Sequence, residues 1–343
     1  MRTFLYPIKD TSIYRAYPYN NAGYDEILEV GKLDVFTHYV SGSSSLTESA
    51  PVRSLMQFEG LDAVPSGSIV RLKLYFASAS NLDNSQLLNV FPLSQSWAEG
   101  TSYFYQTPYN AQDGASWYSA SSTAAWGATG GAYLTSVSSS VVIESQPLTD
   151  VIINITDIAY AIVSSSIPDN GFVIRMNDAT EQSITNKANC KFFSFQTHTI
   201  FQPRIEILLD NESYVTGSLK LLTSSSSAEI AAKSLKNEYE RGERQIIRFL
   251  VRDKYPPKVF DLSPRYKAQY ALPRNTFFEI KDVAANVVFY PADHYDRLSC
   301  DADGSYFVLD TAHLYKNREY ELTINLFFGT EIERVHIGHF RVT

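Results

Sequence analysis

Apolar and polar side chains alternate with a period of two along most of this chain, and that alternation dictates strands. Val70, Leu72, Leu74 and Phe76 are separated by Arg71, Lys73 and Tyr75, while Ile205, Ile207 and Leu209 are separated by Arg204, Glu206 and Leu208. Successive strand side chains point to opposite faces, so such a pattern buries one face and leaves the other to water. Shorter apolar runs, Val151-Ile152-Ile153, Phe172-Val173-Ile174 and Phe192-Phe193-Ser194-Phe195, are bounded by Gly, Pro, Asn or Ser, as strands inside a sandwich are. Sustained helical periodicity is nearly absent. A content of 23 Tyr and 20 Phe against 3 Met agrees, because rings pack well on a pleated surface. The expected fold class is all-β, with sheets packed in pairs.

A length of 343 residues suits two domains. Composition shifts near residue 210, where Asp210-Asn211-Glu212-Ser213 leads into Thr223 and the serines Ser224 to Ser227. Ser226 and Glu229 then stand at capping-box spacing, which predicts a short connecting helix through Ala228 to Lys236. The expected organisation is therefore a sandwich over 1–210, a linker with a short helix over 211–240, and a smaller sandwich over 241–343. In the last part Ile246 to Val251, Phe277 to Ile280, Tyr320-Leu322-Ile324-Leu326 and Arg334 to Val342 read as strands of an immunoglobulin-like sandwich. Between Gln95 and Ser140 the pattern lapses into Ser, Ala, Gly, Tyr and Trp, with turn pairs at Asp113-Gly114 and Gly130-Gly131. Trp97, Trp117, Trp126 and neighbouring tyrosines carry more packing surface than a disordered linker does, so ordered loops are expected.

Charge excludes some partners. The net charge is −8, and no Lys or Arg occurs between Lys73 and Arg175, where Asp83, Glu99, Asp113, Glu144, Asp150, Asp157 and Asp169 lie. A surface without cations cannot neutralise phosphates, which disfavours nucleic acid and anionic membranes as partners. No window reaches the ~18 apolar residues of a membrane span. The opening Met1-Arg2-Thr3-Phe4-Leu5-Tyr6-Pro7 lacks the apolar stretch of a signal peptide, so a chain made and kept without export is expected. Cys190 and Cys300 fall in different expected domains, which favours two buried thiols over a disulfide.

Chemistry-bearing patterns are few, and the expectation is a non-enzymatic chain with no metal or cofactor site. His336 and His339, three apart on a strand, project from opposite faces unless a bulge at Gly338 intervenes. Asp301-Ala302-Asp303-Gly304 has the start of a calcium loop but no closing glutamate, and reads as a hairpin turn. Glu99 and Asp113 are the carboxylates a glycosidase reading would use, with loop-holding as the rival role. No Gly-x-Ser-x-Gly element, phosphate loop or paired-cysteine motif occurs. Tyr103, Tyr105, Tyr109, Trp117, Tyr118 and Trp126, with Phe104 and Tyr133, form a candidate contact or sugar-stacking surface, with loop packing as the rival.

Residues 1 to 210 resemble the DNRLRE family, a jelly-roll-like module of surface and structural proteins. The resemblance lies in the order Asp10-Thr11-Ser12-Ile13-Tyr14, Asn20-Asn21-Ala22-Gly23-Tyr24, Leu28-Glu29-Val30-Gly31, Arg53 to Phe58, Pro65 to Val70 and Trp97-Ala98-Glu99-Gly100-Thr101. Asp150 to Asp157 then resembles the family's strand and short helix, and Asn170 to Ile174 its penultimate strand. The arginine-bearing strand departs from the family in having Gln57 and no second basic residue. Tyr255-Pro256-Pro257 and Ser305 to Asp310 are similar to segments of tailed-bacteriophage virion proteins. These likenesses imply a virion structural protein of a phage head, neck or tail, contacting other virion proteins and copies of itself in a symmetric assembly. A glycan-binding adhesin or host-recognition protein is the alternative, and an enzyme of surface polysaccharide the third. Similar sandwiches also hold structural calcium through loop carbonyls, which leaves that ion open.

Overall fold

The computed structural model describes residues 1–36, 47–105, 113–226, 228–255 and 269–343, without the side chains of 34–36 and 47–48. It divides into two compact units, Phe4–Ile207 and a second made of Leu208–Thr343 with Met1–Thr3. Both are built of strands, as the period of two requires.

The N-terminal strands are β1 (Arg2–Leu5), β2 (Pro7–Tyr14), β3 (Ile27–Phe36), β4 (Thr47–Phe58), β5 (Ile69–Leu74) and β6 (Phe76–Ser80). β7 (Gln86–Pro92), β8 (Ser139–Ile143), β9 (Val151–Asn154), β10 (Phe172–Met176), β11 (Asn189–Phe193) and β12 (Arg204–Leu208) follow, with helices α1 (Thr156–Val163) and α2 (Asp178–Gln182) between them. Among the described residues one sheet runs β1-β12-β5-β9, and the other runs β6-β11-β3-β4-β10-β7-β8 with β2 also on β4. Val70, Leu72 and Leu74 of β5 and Ile153 of β9 meet Val30, Met56, Leu88, Phe172 and Phe192 of the larger sheet in one core, which makes the unit a β-sandwich. β5 keeps the expected alternation of buried and half-buried residues.

Two strands depart from their sequence pattern. β12 is buried along both faces, although Arg204 and Glu206 looked like its wet side. The two side chains pair with each other, Arg204 Nη2 lying 2.7 Å from Glu206 Oε1, and the guanidinium stacks over the Phe4 ring 4.3 Å from its centroid. Conversely, the apolar run Val151-Ile152-Ile153 buries only its alternate residues and leaves Ile152 exposed.

The larger sheet is covered on its second face too. Val173 of β10, Leu55 of β4 and Ile13 of β2 point away from the sandwich core into a cluster with Leu93, Trp97, Trp117 and Trp126. The expected ordered loops therefore exist over the described part of 93–138, and their tryptophans close the sheet's outer face. Two indole N–H groups donate to backbone carbonyls, Trp97 to Asn170 at 3.0 Å and Trp126 to Ser116 at 2.8 Å, so these two rings are buried with their donors satisfied.

The C-terminal unit contains β13 (Lys220–Leu221), β14 (Ala228–Ala232), β15 (Glu238–Tyr239), β16 (Arg244–Asp253), β17 (Tyr270–Ala271), β18 (Thr276–Asp282) and β19 (Val287–Pro291). β20 (Ser299–Asp301), β21 (Gly304–Asp310), β22 (Arg318–Phe328) and β23 (Glu331–Val342) complete it. Its sheets run β14-β16-β21-β20 and β15-β23-β22-β18-β19, with a short β13-β17 pair. The first two meet through rings: Phe278 of β18 stacks on Phe307 of β21 at 4.2 Å between centroids, and Phe249 of β16 lies beyond.

The connecting helix expected at 228–236 is corrected here. Ala228–Ala232 is β14, paired antiparallel with β16 from Ala228 opposite Asp253 to Ala232 opposite Phe249. Intrinsic propensity is a weak prior, and an unpaired edge of a long strand offers the inward-pointing backbone groups of this segment ladder partners, whereas an isolated short helix is marginal in water. Residues assigned to a linker at 211–240 thus supply β13, β14 and β15 to the C-terminal unit. Cys190 and Cys300 are buried free thiols, and burial pushes the Cys190 thiol up to about 12.

Replacing Phe307 by Ala should remove the ring joining the two C-terminal sheets at a cost of about 3–5 kcal/mol. Urea denaturation followed by tryptophan-independent circular dichroism measures it. A loss below about 1 kcal/mol would mean that these sheets are held together elsewhere.

Candidate contact surface

The loops above the larger sheet are held by a small set of polar side chains. Asn21 uses all its hydrogen-bonding capacity: Nδ2 donates to the carbonyls of Glu99 at 2.6 Å and Ala115 at 2.9 Å, and Oδ1 accepts from the N–H groups of Gly23 and Ser102. Gly100 sits against it at φ 84°, where a Cβ would come within 2.3 Å of the Asn21 oxygen, so only glycine fits. Glu99 accepts from the Asp10 N–H at 3.0 Å and from Gln196, while Asp113 accepts from the Thr101 N–H at 2.9 Å. The two carboxylates considered for glycosidase chemistry are thus engaged in holding loops. Asp10 is fully buried and accepts from the Phe195 N–H at 2.6 Å. Burial, with Glu99 beside it, pushes its carboxyl well above the ordinary range.

A second network ties the loops to the sheet. Arg53 of β4 grips Glu181 of α2 with two bonds of 2.9 and 2.7 Å and donates to the Gly130 carbonyl at 2.8 Å. Arg175 of β10 reaches the same carboxylate at 2.5 Å and donates to the Tyr133 hydroxyl at 2.6 Å. The Arg53 guanidinium also lies 4.9 Å from the centre of the Trp117 ring. One buried glutamate is therefore shared by two buried arginines, and Arg175 also pairs with Asp178 at the start of α2.

These networks decide which aromatic residues face water. Trp117 and Trp126 are 7% and 6% exposed, so their place in a stacking platform is corrected: the outer face of the sheet claims the indoles as core. Tyr103, Tyr105 and Tyr118 are exposed, and Tyr109 lies outside the described residues. The structure adds Tyr17, Tyr19 and Tyr24 from the loop after β2, which sequence reading missed. Tyr19 meets Tyr118 at 5.3 Å, Tyr24 meets Tyr103 at 5.9 Å, and Tyr17 and Tyr105 both contact Phe104, all edge-on. Phe104 itself is buried and stacked on Tyr14 at 4.0 Å. The signal was the run Tyr14, Tyr17, Tyr19, Tyr24, whose spacing gives no hint that it would meet a loop some 80 residues on. Asp25 lies beneath these rings, accepting from the Phe104 N–H at 3.2 Å.

In the C-terminal unit, Asp301-Ala302-Asp303-Gly304 is a hairpin turn, Asp301 pairing with Gly304, as expected. Arg248 binds the Asp301 carboxylate at 2.5 and 2.9 Å and holds it below its ordinary range. A cleft of about 240 Å³ in this unit is lined by polar groups that pair among themselves, Glu212 with Arg297 at 2.6 Å and Asp210 with His294 at 2.7 Å. Near it Asp296 is fully buried, and burial pushes its carboxyl up to about 7 against the pull of Arg2, whose Nε lies 3.1 Å away. His336 and His339 emerge together on one face of β23, with ring centroids 5.0 Å apart, the exception that the sequence allowed for if a bulge occurred at Gly338. A bulge between the positions opposite Leu322 and Thr323 is responsible.

Among the described residues no helix is long and apolar enough to cross a membrane. Fold and site together define a two-unit β protein that presents a tyrosine face on loops held by buried ion pairs. The chain matches no model of a known protein family and no curated protein.

Substituting Glu181 by Leu leaves Arg53 and Arg175 without their shared counter-charge, with an expected cost of about 3–5 kcal/mol in denaturant titration. Asp25 gives a pH test. Burial raises its carboxyl from 3.8 to about 6, so the folded chain holds the proton more tightly than the unfolded one. Its contribution to stability is present below pH 3.8 and is lost as pH rises to about 6. The melting temperature of Asp25→Asn minus that of the parent should therefore rise across that window. A flat difference would show that the carboxyl is not perturbed.

Proposed function

We propose that this chain is a non-catalytic structural protein that works through protein–protein contact, with the N-terminal tyrosine face as its principal contact. The observation that carries this reading is the division of labour among the loop residues. The acids and arginines are engaged in holding backbone, while Tyr17, Tyr19, Tyr103, Tyr105 and Tyr118 face water as a group. Tyrosine supplies large, stiff, amphipathic area and is enriched where proteins meet. With the flat indoles buried, the remaining rings touch edge to face, an arrangement suited to an uneven protein surface more than to a flat sugar face.

The resemblance of residues 1–210 to a jelly-roll-like module of structural proteins, and of C-terminal segments to tailed-phage virion proteins, supports a place in a phage particle. There the partner is another virion protein or a further copy of the chain. The expected result is that mass spectrometry of purified particles from the source finds the chain at fixed stoichiometry. Tyr19→Ala with Tyr105→Ala and Tyr118→Ala should lower its incorporation while circular dichroism and melting temperature stay unchanged. Absence from every particle would remove the virion setting. Full incorporation of the triple variant would remove the tyrosine face, and glycan-array binding lost in that variant would replace the protein partner with a sugar.

A further inference from the structure

In a regular strand, residues three apart project from opposite faces. β23 breaks that rule at one point: Gly338 stands opposite Leu322 and His336 opposite Thr323, so Ile337 is an extra residue without a partner position. A bulge of one residue shifts the alternation by one, and His336 and His339 emerge on the side of the sheet that carries Glu321 and Glu319 of β22. One ligand atom each from Glu321, His336 and His339 lies within 4.8 Å of the others. We propose that these three residues form a surface site for a zinc-class divalent cation, with the Ile337 bulge as the device that assembles it.

The donor set argues for that class. Two imidazoles and one carboxylate match the three-ligand zinc arrangement that keeps a fourth position for water, whereas magnesium and calcium require oxygen throughout. A tetrahedral ion with bonds of about 2.0–2.1 Å sets its ligands roughly 3.3 Å apart, and side chains that are largely exposed close the remaining gap by changing rotamer. Glu321 Oε1 is already 3.1 Å from His336 Nδ1. Glu319 Oε1 lies 3.0 Å from His339 Nδ1, the position from which a second carboxylate fixes an imidazole's orientation and leaves Nε2 for the ion.

The test is isothermal titration of the EDTA-stripped full chain with ZnCl2, and in parallel with MgCl2. One zinc per chain and no saturable magnesium binding are expected. His336→Ala and His339→Ala should each abolish the saturable phase with an unchanged melting temperature, both positions being exposed. Glu319→Gln should keep the stoichiometry and weaken affinity about 10–100-fold. Deleting Ile337 should leave binding in place, because the two histidines then stand two apart on a regular strand and still share a face. Absence of saturable zinc binding, or binding unchanged in the His336→Ala, His339→Ala double variant, overturns the site.

Discussion

Everything in the N-terminal unit depends on how the outer face of its larger sheet is kept dry. That sheet has two apolar faces at β4 and β10: Met56 and Phe172 point into the sandwich, and Leu55 and Val173 point out of it. A second sheet covers the first set, whereas among the described residues loops cover the second. Loops lack a ladder of backbone bonds, so the cover needs large rings and side chains that bind main-chain groups. Trp97, Trp117 and Trp126 provide the rings, and Asn21, Glu99, Arg53 and Glu181 provide the bonds. Their placement turns a stretch without regular structure into part of the core.

That arrangement also sets what is left for function. The cation-free stretch between Lys73 and Arg175 supplies no arginine to its own loops, and the guanidinium groups that anchor them come from β4 before it and from Arg175 of β10 at its far end. With acids and indoles engaged internally, tyrosine is the large side chain that remains outside. Its rings pack on one another and on Phe104, which limits the rotamer freedom that a partner would otherwise have to freeze.

The C-terminal unit reaches the same end by simpler means. Stacked phenylalanines join its two sheets, and its polar side chains pair across strands, Glu321 by a hydrogen bond with His336 and Arg248 by an ion pair with Asp301. The bulge at Ile337 is the exception, since it interrupts the longest pairing in the unit to re-aim two imidazoles.

Side-chain periodicity alone was enough to determine that the chain folds into strands, because a period of two is a local property that any pairing partner reads in the same way. β5, β16, β18, β22 and β23 follow from it directly, as do the two buried thiols and the hairpin at Asp301-Gly304. The turn of Ala228–Ala232 from helix to strand was decided by the free edge of β16, which only the assembled sheet presents. Whether Trp117 faces water or core depended on the far side of a sheet, and Tyr19 joined Tyr118 only because loops distant in sequence share one end of the sandwich. One unpaired residue, Ile337, moved His336 onto the face of His339; Gly338 marked where a bulge could form, but register is set between strands, so only the paired sheet decided that it does.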